Sequence, residues 1–392
     1  MRILHCTDTY PPQVNGVSVV TALAVDGLLR RGIDVAVVAP RYAAGAPEWF
    51  NDRRAPVARL DLPAFNLPQY PDVRVSWLAL RAVERFARDF RPDLIHADTE
   101  FIVGRLGARA ARRLGVPLVT SFHTNFGDYF AAYGYPWLSP WVERQIVAFH
   151  QRSRRIYTPS SVSADWLRAR GLANIEVWGR AVDTNVFRPA DRAPATPGTP
   201  AAPGADGRDG TLTFLHVGRL AAEKNLEVLI RGFALAQASL GARIRLVIAG
   251  DGPVMPALRA MAPPGVEFTG FIDRELALPA LYASADAFLN TSTSETLGLV
   301  ILEAMACALP VAAVVAGGVA DHLRHEVNGL AIAPTEDGVA QAIARLAADP
   351  GLRARLGRGA RAWAESLGWD RELDRLAASY AEAIAGAPPA RG

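Results

Sequence analysis

Lysine is almost missing from this sequence of 392 residues. One of its 42 basic residues, Lys224, is lysine, and the other 41 are arginine. The two side chains differ where a compact point charge must sit close to a phosphate oxygen, because the guanidinium is a wide, planar fork. A chain that otherwise uses arginine has little background reason to place a lysine. The exception therefore indicates that Lys224 is a functional residue.

Long apolar runs are missing as well. No uncharged apolar run approaches the ~18 residues of a membrane-spanning helix. The N-terminus has one arginine, a short apolar segment and then Asp8, which is too short and too polar for a signal peptide. The two cysteines, Cys6 and Cys307, lie far apart in apolar segments. We therefore expect reduced thiols and a cytoplasmic protein, at most held against the inner face of the cell membrane.

Charge is unevenly divided along the chain. Residues 1–186 carry 23 Arg against 17 acidic residues, a net +6, whereas the remainder carries 19 basic and 22 acidic residues, a net −3. A basic first half favours contact with an anionic membrane surface or acceptor. An ordinary charged surface in an arginine-rich protein explains the same numbers equally well. We predict no nucleic-acid partner.

Alternating strand and helix patterns divide the chain into two halves. Apolar strands at 2–6 and 33–39 flank a helix from about residue 17 to residue 31, and such a βαβ unit favours a parallel sheet. A Pro-, Ala- and Gly-rich segment at 188–210 has no periodicity and is predicted to be a flexible linker. The alternation restarts at residue 212. We predict an α/β protein with two doubly wound domains, 1–187 and 211–368, followed by a C-terminal segment, 369–392.

The most informative stretch is 290–310, NTSTSETLGLVILEAMACALP. An apolar strand pattern ends there in small hydroxyl residues, a loop holds Glu295, and a helix pattern carries Glu303 about two turns further on. The free backbone N–H groups at the helix start, on Thr296, Leu297, Gly298 and Leu299, favour an anion. A nucleotide sugar carries both phosphates and hydroxyls, so a phosphate site beside two carboxylates that can bind hydroxyls suits a nucleotide sugar. Taken alone, the glutamates would also fit a dipole partner and a solvated helix residue.

Other polar residues stand where predicted strands end, which is where open α/β sheets bind ligands. In the second half, Arg219 and Lys224 flank a helix entry and can converge on one diphosphate. In the first half, Asp98 and His123 follow two strands. A lone histidine is more often structural, but polar neighbours at a strand end favour a functional one. Gly16, at the mouth of the first helix, allows the close approach of a ligand.

Four segments together resemble the retaining, nucleotide-sugar-dependent glycosyltransferases of family 4, which have the GT-B fold. They are E-T-L-G-L-V-I-L-E at 295–303, G-R-x(4)-K-N at 218–225, S-F-H-T-N-F at 121–126 and G-R-A-V-D at 179–183. The resemblance covers nearly the whole chain and is strongest from 218 to 310. The chain departs from the family pattern at Ala181 and Ala308, where glycine is usual, and at Asp321, where glutamate is usual.

The resemblance implies two Rossmann-like domains facing a cleft, with a C-terminal helix that crosses back to the first. The catalytic residues it implies are His123, Arg219, Lys224 and Glu295. The donor-binding residues it implies are Gly16, Gly218, Arg219, Lys224, Gly250, Ile272, Glu295, Thr296, Leu297, Gly298, Leu299 and Glu303. In this family the first glutamate of the motif holds sugar hydroxyls and the second holds the ribose. The acceptor side would comprise Asn15, Asp98, Asn125, Tyr129, Arg180 and Asp183.

We expect no metal and no other cofactor, since two cations can supply a metal's electrostatic effect. The 121–126 segment and the W-G-R-A-V-D-T-N-V-F segment look most like a family branch with α-mannosyltransferases that use GDP-mannose on glycolipid acceptors. That branch also has glucosyl and sulfoquinovosyl relatives that use UDP-sugars. Dense aromatics at 129–141 favour a lipid-linked acceptor at an anionic membrane, although ordinary helix packing would also explain them. A nucleotide-sugar epimerase of the same fold and a non-catalytic sugar-binding protein stay open.

Overall fold

The computed structural model describes residues 1–13, 15–42, 57–67, 70–76, 79–123, 137, 139–189, 210–274 and 277–386. The chain forms two compact units, one of Met1–Arg180 with Asp370–Gly392 and one of Ala181–Trp369. Most of the predicted linker, residues 190–209, lies outside the described residues. Of the helices in the described ranges, none combines the length and the hydropathy that crossing a membrane requires.

The first unit is built on a parallel sheet. Its strands are β1 (Arg2–Cys6), β2 (Asp34–Pro40), β3 (Ala58–Leu62), β4 (Ala64–Leu67), β5 (Tyr70–Ser76), β6 (Leu94–Ala97), β7 (Leu118–Ser121), β8 (Ile156–Thr158) and β9 (Ile175–Val177). Seven of them form a parallel sheet in the order β3-β2-β1-β6-β7-β8-β9. The other two, β4 and β5, pair as an antiparallel hairpin. The sequence patterns did not predict this hairpin, because prolines interrupt its apolar run.

The helices of the first unit follow its strands. They are α1 (Gly16–Arg30), α2 (Leu80–Phe90), α3 (Ile102–Leu114), α4 (Ser139–His150) and α5 (Ser161–Arg168). Strands β1 and β2 are almost wholly buried, as the continuous apolar runs of a sheet covered on both faces require. The sheet extends in opposite directions from β1 and from β6, so the loops that follow these two strands diverge at this point. Such a switch point is where α/β sheets bind ligands.

The second unit repeats this design. Its strands are β10 (Leu212–Val217), β11 (Ile244–Ala249), β12 (Val266–Gly270), β13 (Ala287–Asn290), β14 (Val311–Val314) and β15 (Gly329–Ile332). They form a parallel sheet in the order β12-β11-β10-β13-β14-β15, with its switch point between β10 and β13. Its helices are α6 (Leu226–Leu240), α7 (Met255–Met261), α8 (Leu278–Ser284), α9 (Leu299–Ala306), α10 (Glu336–Ala348) and α11 (Pro350–Glu365).

The last helix, α12 (Trp369–Ala385), packs on the first unit. A Cβ on Gly27 of α1 would lie 2.3 Å from the Leu373 side chain, so glycine allows the two helices to approach closely. Trp178 Nε1 donates to the backbone oxygen of Glu372 at 2.8 Å. The predicted pair of doubly wound domains with a C-terminal helix crossing back to the first is therefore confirmed.

The two units divide between Arg180 and Ala181. The following residues belong to the second unit because Val182 N–H donates to Leu367 O at 3.2 Å. Phe187 is fully buried there against Tyr282, with ring centroids 5.9 Å apart. The G-R-A-V-D segment at 179–183 thus spans the boundary between the two units.

Candidate functional site

A lysine–glutamate ion pair lies at the switch point of the second sheet. Lys224 Nζ is 2.7 Å from Glu295 Oε1, and the side chains are 19% and 12% exposed. Lys224 follows β10 and Glu295 follows the neighbouring β13. Burial raises the pKa of Glu295, but the charge of Lys224 and its hydrogen bond outweigh burial, so that pKa is lowered. The single lysine of the sequence is therefore the counter-ion of the first glutamate of the 295–303 motif.

Hydrogen bonds join the two loops around this pair. Thr291 Oγ1 lies 3.0 Å from the backbone oxygens of both Lys224 and Asn225. Asn225 Nδ2 donates to Thr291 O at 3.4 Å. Asn225 has a φ of 52°, in the left-handed region that asparagine tolerates, so the loop turns sharply into α6. The backbone of Lys224 is thus held against the loop that carries Glu295.

Two glycines after β14 fix the backbone of Glu295. Gly318 N–H donates to Glu295 O at 2.7 Å. A Cβ on Gly317, whose φ is 55°, would lie 2.1 Å from Glu295 O, and a Cβ on Gly318 would lie 2.3 Å from Thr296 O. Glycine alone permits this approach. The loops after β10, β13 and β14 therefore meet at Glu295, whose carboxylate is bound by Lys224 and whose backbone oxygen is bound by Gly318.

Helix α9 begins beside the ion pair without a side-chain cap. Its N-cap is Gly298, with a φ of 76°. Within the described ranges, no hydrogen-bond acceptor faces the backbone N–H groups of the residues that open the helix, namely Thr296, Leu297, Gly298 and Leu299. Free N–H groups at the positive end of a helix favour an anion. A cation, an ionised carboxylate and a helix end with free N–H groups are thus side by side.

The second glutamate of the motif is bound by two side chains that the sequence did not indicate. Arg274 Nε and Nη2 lie 2.9 Å and 2.6 Å from Glu303 Oε1. Tyr282 donates its hydroxyl to Glu303 Oε2 at 3.1 Å. Since the Glu303 side chain is 2% exposed, the guanidinium compensates a buried charge. Arg274 and Tyr282 precede Glu303 by 29 and 21 residues, so no local spacing could have revealed them.

The remaining predicted donor residues occupy strand ends or a helix start. Gly218 and Gly250 follow β10 and β11, and a Cβ on Gly250 would lie 1.9 Å from Gly218 O. Gly250 therefore lets these two loops touch. Arg219 is exposed and Ile272 is half-buried on the loops after β10 and β12. In the first unit, Gly16 is exposed at the start of α1, with open space where a Cβ would stand.

A buried polar cluster lies at the switch point of the first sheet. His5 of β1 and His96 of β6 are in register, with ring centroids 4.9 Å apart. Both carboxylate oxygens of Asp98 lie 3.1 Å from His5 Nδ1. Burial raises the pKa of Asp98, but the imidazoles of His96 and His5 outweigh burial, so that pKa is lowered. Asp98, a predicted acceptor-side residue, is therefore a buried anion held by histidine.

His96 uses both of its ring nitrogens. Nδ1 lies 2.6 Å from the Tyr380 hydroxyl and Nε2 lies 2.7 Å from Ser121 Oγ. Burial lowers the pKa of His96 to about 3, so the imidazole is neutral at pH 7. In the part of the chain that the structure describes, the ligand atoms of His5, His96 and Asp98 lie within 4.8 Å of one another, which is the spacing of a metal site. Because His96 is already fully bonded, the arrangement is that of a hydrogen-bond network.

His123 follows β7 and is near the same cluster. Burial lowers its pKa and outweighs the opposing charges of Asp98 and Glu100. Glu100 in turn lies 3.4 Å from His150 Nε2. His123 Nε2 is buried and has no hydrogen-bond partner among the described residues. The imidazole is therefore neutral and keeps one nitrogen for a ligand.

The other predicted acceptor-side residues have local partners or cannot be placed. Asn15 caps α1, since its Oδ1 accepts Ser18 N–H at 2.9 Å. Asp183 Oδ1 accepts the N–H of Asn185 at 2.9 Å, and Arg180 is half-buried. Asn125 and Tyr129 lie outside the described residues, and so does most of the aromatic stretch at 129–141. Their roles stay predictions.

The chain has two Rossmann-like units with polar loops at their switch points, one of them beside a helix start with free N–H groups, and this is the architecture of glycosyltransferases of the GT-B class. Residues 14–186 match the family described as Glycosyltransferase Family 4, and residues 205–363 match Glycosyl transferases group 1. The chain is 32% identical over 391 residues to the GDP-mannose-dependent alpha-mannosyltransferase of Mycolicibacterium smegmatis, covering 98% of each protein. The chain therefore belongs to family 4 of the glycosyltransferases, as its motifs predicted.

Two further proteins are similar over most of the chain. Sulfoquinovosyl transferase SQD2 of Arabidopsis thaliana is 33% identical over 291 residues, which cover 73% of this chain and 54% of that protein. The crystal structure of HepE from Anabaena in complex with UDP and glucose aligns with a TM-score of 0.75 at 20% identity, over 97% of this chain and 99% of that one. This structural likeness confirms the predicted GT-B fold.

Proposed function

We propose that this protein transfers α-mannose from GDP-mannose to a hydroxyl of a lipid-linked glycan or glycolipid, with retention at the anomeric carbon and without a metal. The observation that carries the proposal is the Lys224–Glu295 pair, 2.7 Å apart, beside the free N–H groups at the start of α9. The name of the Mycolicibacterium smegmatis relative supports GDP-mannose as the donor.

The second unit binds the donor through its switch-point loops. Lys224 has three N–H donors and directs one to Glu295, so two are left for phosphate oxygens. Arg219, exposed on the same loop, adds a second positive charge, and the start of α9 adds backbone N–H groups. Glu295, kept ionised by Lys224, accepts hydrogen bonds from sugar hydroxyls. Glu303 accepts hydrogen bonds from the ribose.

The transfer step moves charge onto the leaving diphosphate. As the bond between the sugar C1 and the phosphate oxygen breaks, Lys224 and Arg219 stabilise the developing negative charge, so no metal is needed. The acceptor oxygen bonds to C1 on the same face, and its proton passes to the departing phosphate oxygen. The neutral His123 stabilises the oxocarbenium-like sugar through its unpaired nitrogen. Substituting His123 should therefore lower turnover more than donor binding.

The first unit has a surface that suits peripheral contact with the inner, anionic face of the membrane. Helices α2 and α3 pack together, and the one buried acid between them, Glu84, is paired with Arg113 at 2.6 Å. The outer faces of these helices expose a set of arginines: Arg81, Arg85, Arg88, Arg109, Arg112 and Arg113. A basic residue near an anionic lipid surface contributes about 1 kcal/mol to binding. This surface would bring the enzyme to a lipid-linked acceptor.

A panel of UDP-, GDP- and ADP-sugars tests the donor. We expect GDP-mannose to raise the melting temperature most, because at equal concentration the ligand that binds the folded state most tightly stabilises it most. GDP should be released only when a lipid acceptor is added, in the presence of EDTA as well as in its absence. Proton NMR of the product should show an α linkage. The matched control is Glu295→Gln, which keeps the side-chain shape and should lose the stabilisation by donor.

Each alternative result of the nucleotide-sugar panel favours a different function. Greater stabilisation by a UDP-sugar would favour a glucosyl or sulfoquinovosyl transferase, the activity that the Arabidopsis relative's name describes. Donor conversion without any acceptor would favour an epimerase. If no nucleotide sugar stabilises the protein, the assignment of the Lys224–Glu295 loops as a donor site is wrong.

A further inference from the structure

Strand β13 ends in a buried asparagine, five positions before Glu295. Asn290 is 1% exposed, and the loop after it leads directly to the glutamate. A side-chain amide has an oxygen that accepts hydrogen bonds and an N–H2 group that donates them. Because both ends of a buried amide need partners, the partners of Asn290 indicate its role.

One hydrogen bond fixes the orientation of this amide. Ser292 N–H donates to Asn290 Oδ1 at 2.8 Å, and a backbone N–H can face only an acceptor, so the N–H2 group points the other way. Nδ2 has no partner within normal hydrogen-bond distance among the described residues. Burial raises the pKa of Glu295, and Lys224, Ser292 and Asn290 together lower it. The N–H2 group of Asn290 therefore acts on the Glu295 carboxylate through a long hydrogen bond.

We propose that Asn290 is a positioning residue that directs its N–H2 group to the Glu295 carboxylate and holds that carboxylate ionised and oriented for the donor sugar. The proposal rests on the function proposed above, in which Glu295 accepts hydrogen bonds from sugar hydroxyls. Asn290 itself is not in contact with the sugar. The Glu295 side chain is 12% exposed, so a ligand can contact the group that Asn290 positions.

The ion pair alone does not fix the plane of the carboxylate. Lys224 donates to Oε1 of Glu295 at 2.7 Å, and its ammonium is a compact point charge on a flexible stem. A second donor that approaches from another direction restricts rotation of the carboxylate. Asn290 can supply it precisely, because a residue on a strand is held more rigidly than one on a loop.

Two titratable groups also act on Glu295 and bear on any pH dependence. Lys224 is the cation of the ion pair. His216 of β10 is buried and donates Nδ1–H to Leu289 O at 3.0 Å. Burial lowers the pKa of His216 to about 4, so it is neutral at pH 7. Both groups stay in every variant of Asn290, so a comparison of variants isolates the amide.

A second buried asparagine of the same unit offers a matched control. Asn328 is 2% exposed, and its Oδ1 accepts the backbone N–H of Arg324 at 2.7 Å, as the Oδ1 of Asn290 accepts that of Ser292. Its Nδ2 donates to His322 O at 2.8 Å, so its N–H2 group is directed to a backbone oxygen. Substituting Asn328 therefore removes a buried amide that bonds to backbone groups on both sides.

Carbon-13 NMR of protein labelled at its glutamate carboxyls measures the effect on Glu295 directly. The Glu295 signal is assigned by its loss in Glu295→Gln. We expect Glu295 to titrate at higher pH in Asn290→Ala than in the wild-type protein, and at the wild-type pH in Asn328→Ala. Asn290→Asp keeps the acceptor for Ser292 and replaces the donor with a second acid, so it should also raise the pKa, and it serves if Asn290→Ala does not fold. An unchanged titration, or an equal shift in Asn328→Ala, would overturn the proposal.

Calorimetric titration with GDP-mannose and with GDP tests the consequence for the donor. Asn290→Ala should weaken the binding of GDP-mannose about tenfold, the lower end of what a hydrogen bond to a charged group contributes. It should weaken GDP less than about twofold, because GDP has no sugar for Glu295 to bind. Equal weakening of both ligands, or the same loss in Asn328→Ala, would indicate general distortion and overturn the proposal. If the wild-type protein binds no nucleotide sugar, the proposed function fails, whereas the NMR titration still decides whether Asn290 acts on Glu295.

Discussion

Replacing Lys224 with methionine separates the charge of the lysine from its length. Methionine keeps an unbranched stem, but Glu295, which is 12% exposed, loses the ammonium 2.7 Å away. A hydrogen bond to a charged group contributes about 1.5–3 kcal/mol. Because both partners keep some solvent contact, the ~3–5 kcal/mol cost of breaking a fully buried pair is an upper limit. We expect Lys224→Met to lower the free energy of unfolding by about 2 kcal/mol at pH 7.

This loss should depend on pH in a direction set by Glu295. In the wild-type protein, Lys224 overcomes burial and lowers the pKa of Glu295. The pair therefore stabilises the fold above the pKa of the unfolded state, about 4.3, and this stabilisation is lost as the pH falls through the folded-state pKa. In Lys224→Met, burial is opposed only by the hydrogen bonds of Ser292 and Asn290, so the pKa of Glu295 is higher than in the wild-type protein. The stability difference between the two proteins should therefore shrink as the pH falls through the pKa of Glu295 in the variant and then through its lower pKa in the wild-type protein.

Urea unfolding at a series of pH values measures this difference. The control is the double variant Lys224→Met with Glu295→Gln, which removes both charges. It should regain most of the stability at pH 7 but not the thermal stabilisation by donor, since the diphosphate still lacks its cation. A difference that does not change with pH would refute the ion-pair account. Unchanged donor binding in Lys224→Met would refute the role of the lysine.

Three other substitutions and one deletion test the remaining assignments. Lys224→Arg should lower kcat about tenfold, because the guanidinium fork is wider than an ammonium; wild-type turnover would make the single lysine an accident of composition. Deleting residues 194–209 should change the unfolding free energy by only about 0.6 kcal/mol per halving of loop length and leave catalysis intact; loss of folded protein would reveal a structural role. Arg274→Ala should cost about 3 kcal/mol of stability by leaving Glu303 unpaired, and Tyr282→Phe about 1 kcal/mol; equal small losses would show that Glu303 is not a buried anion.

The sequence by itself determined the architecture and the residues that form the ion pair of the second unit. Strand, helix and turn follow from periodicity and from residues a few positions apart, and these are local properties of the chain. The 295–303 motif combines a strand end, a loop carboxylate and a helix start within one short stretch, so an anion site can be predicted there without knowledge of the fold. Lys224 stood out by composition alone. The hairpin β4–β5 was missed because its prolines hide the strand pattern.

Only the tertiary structure decided which side chains meet. Lys224 and Glu295 were predicted separately, but their pairing depends on β10 lying beside β13. Tyr380 contacts His96 across 284 residues of sequence, because the last helix packs against the sheet that the first residues begin. Strand order and helix return are set by the burial of whole faces, which no short spacing encodes. Partners that are distant along the chain therefore become known only when the sheets are assembled.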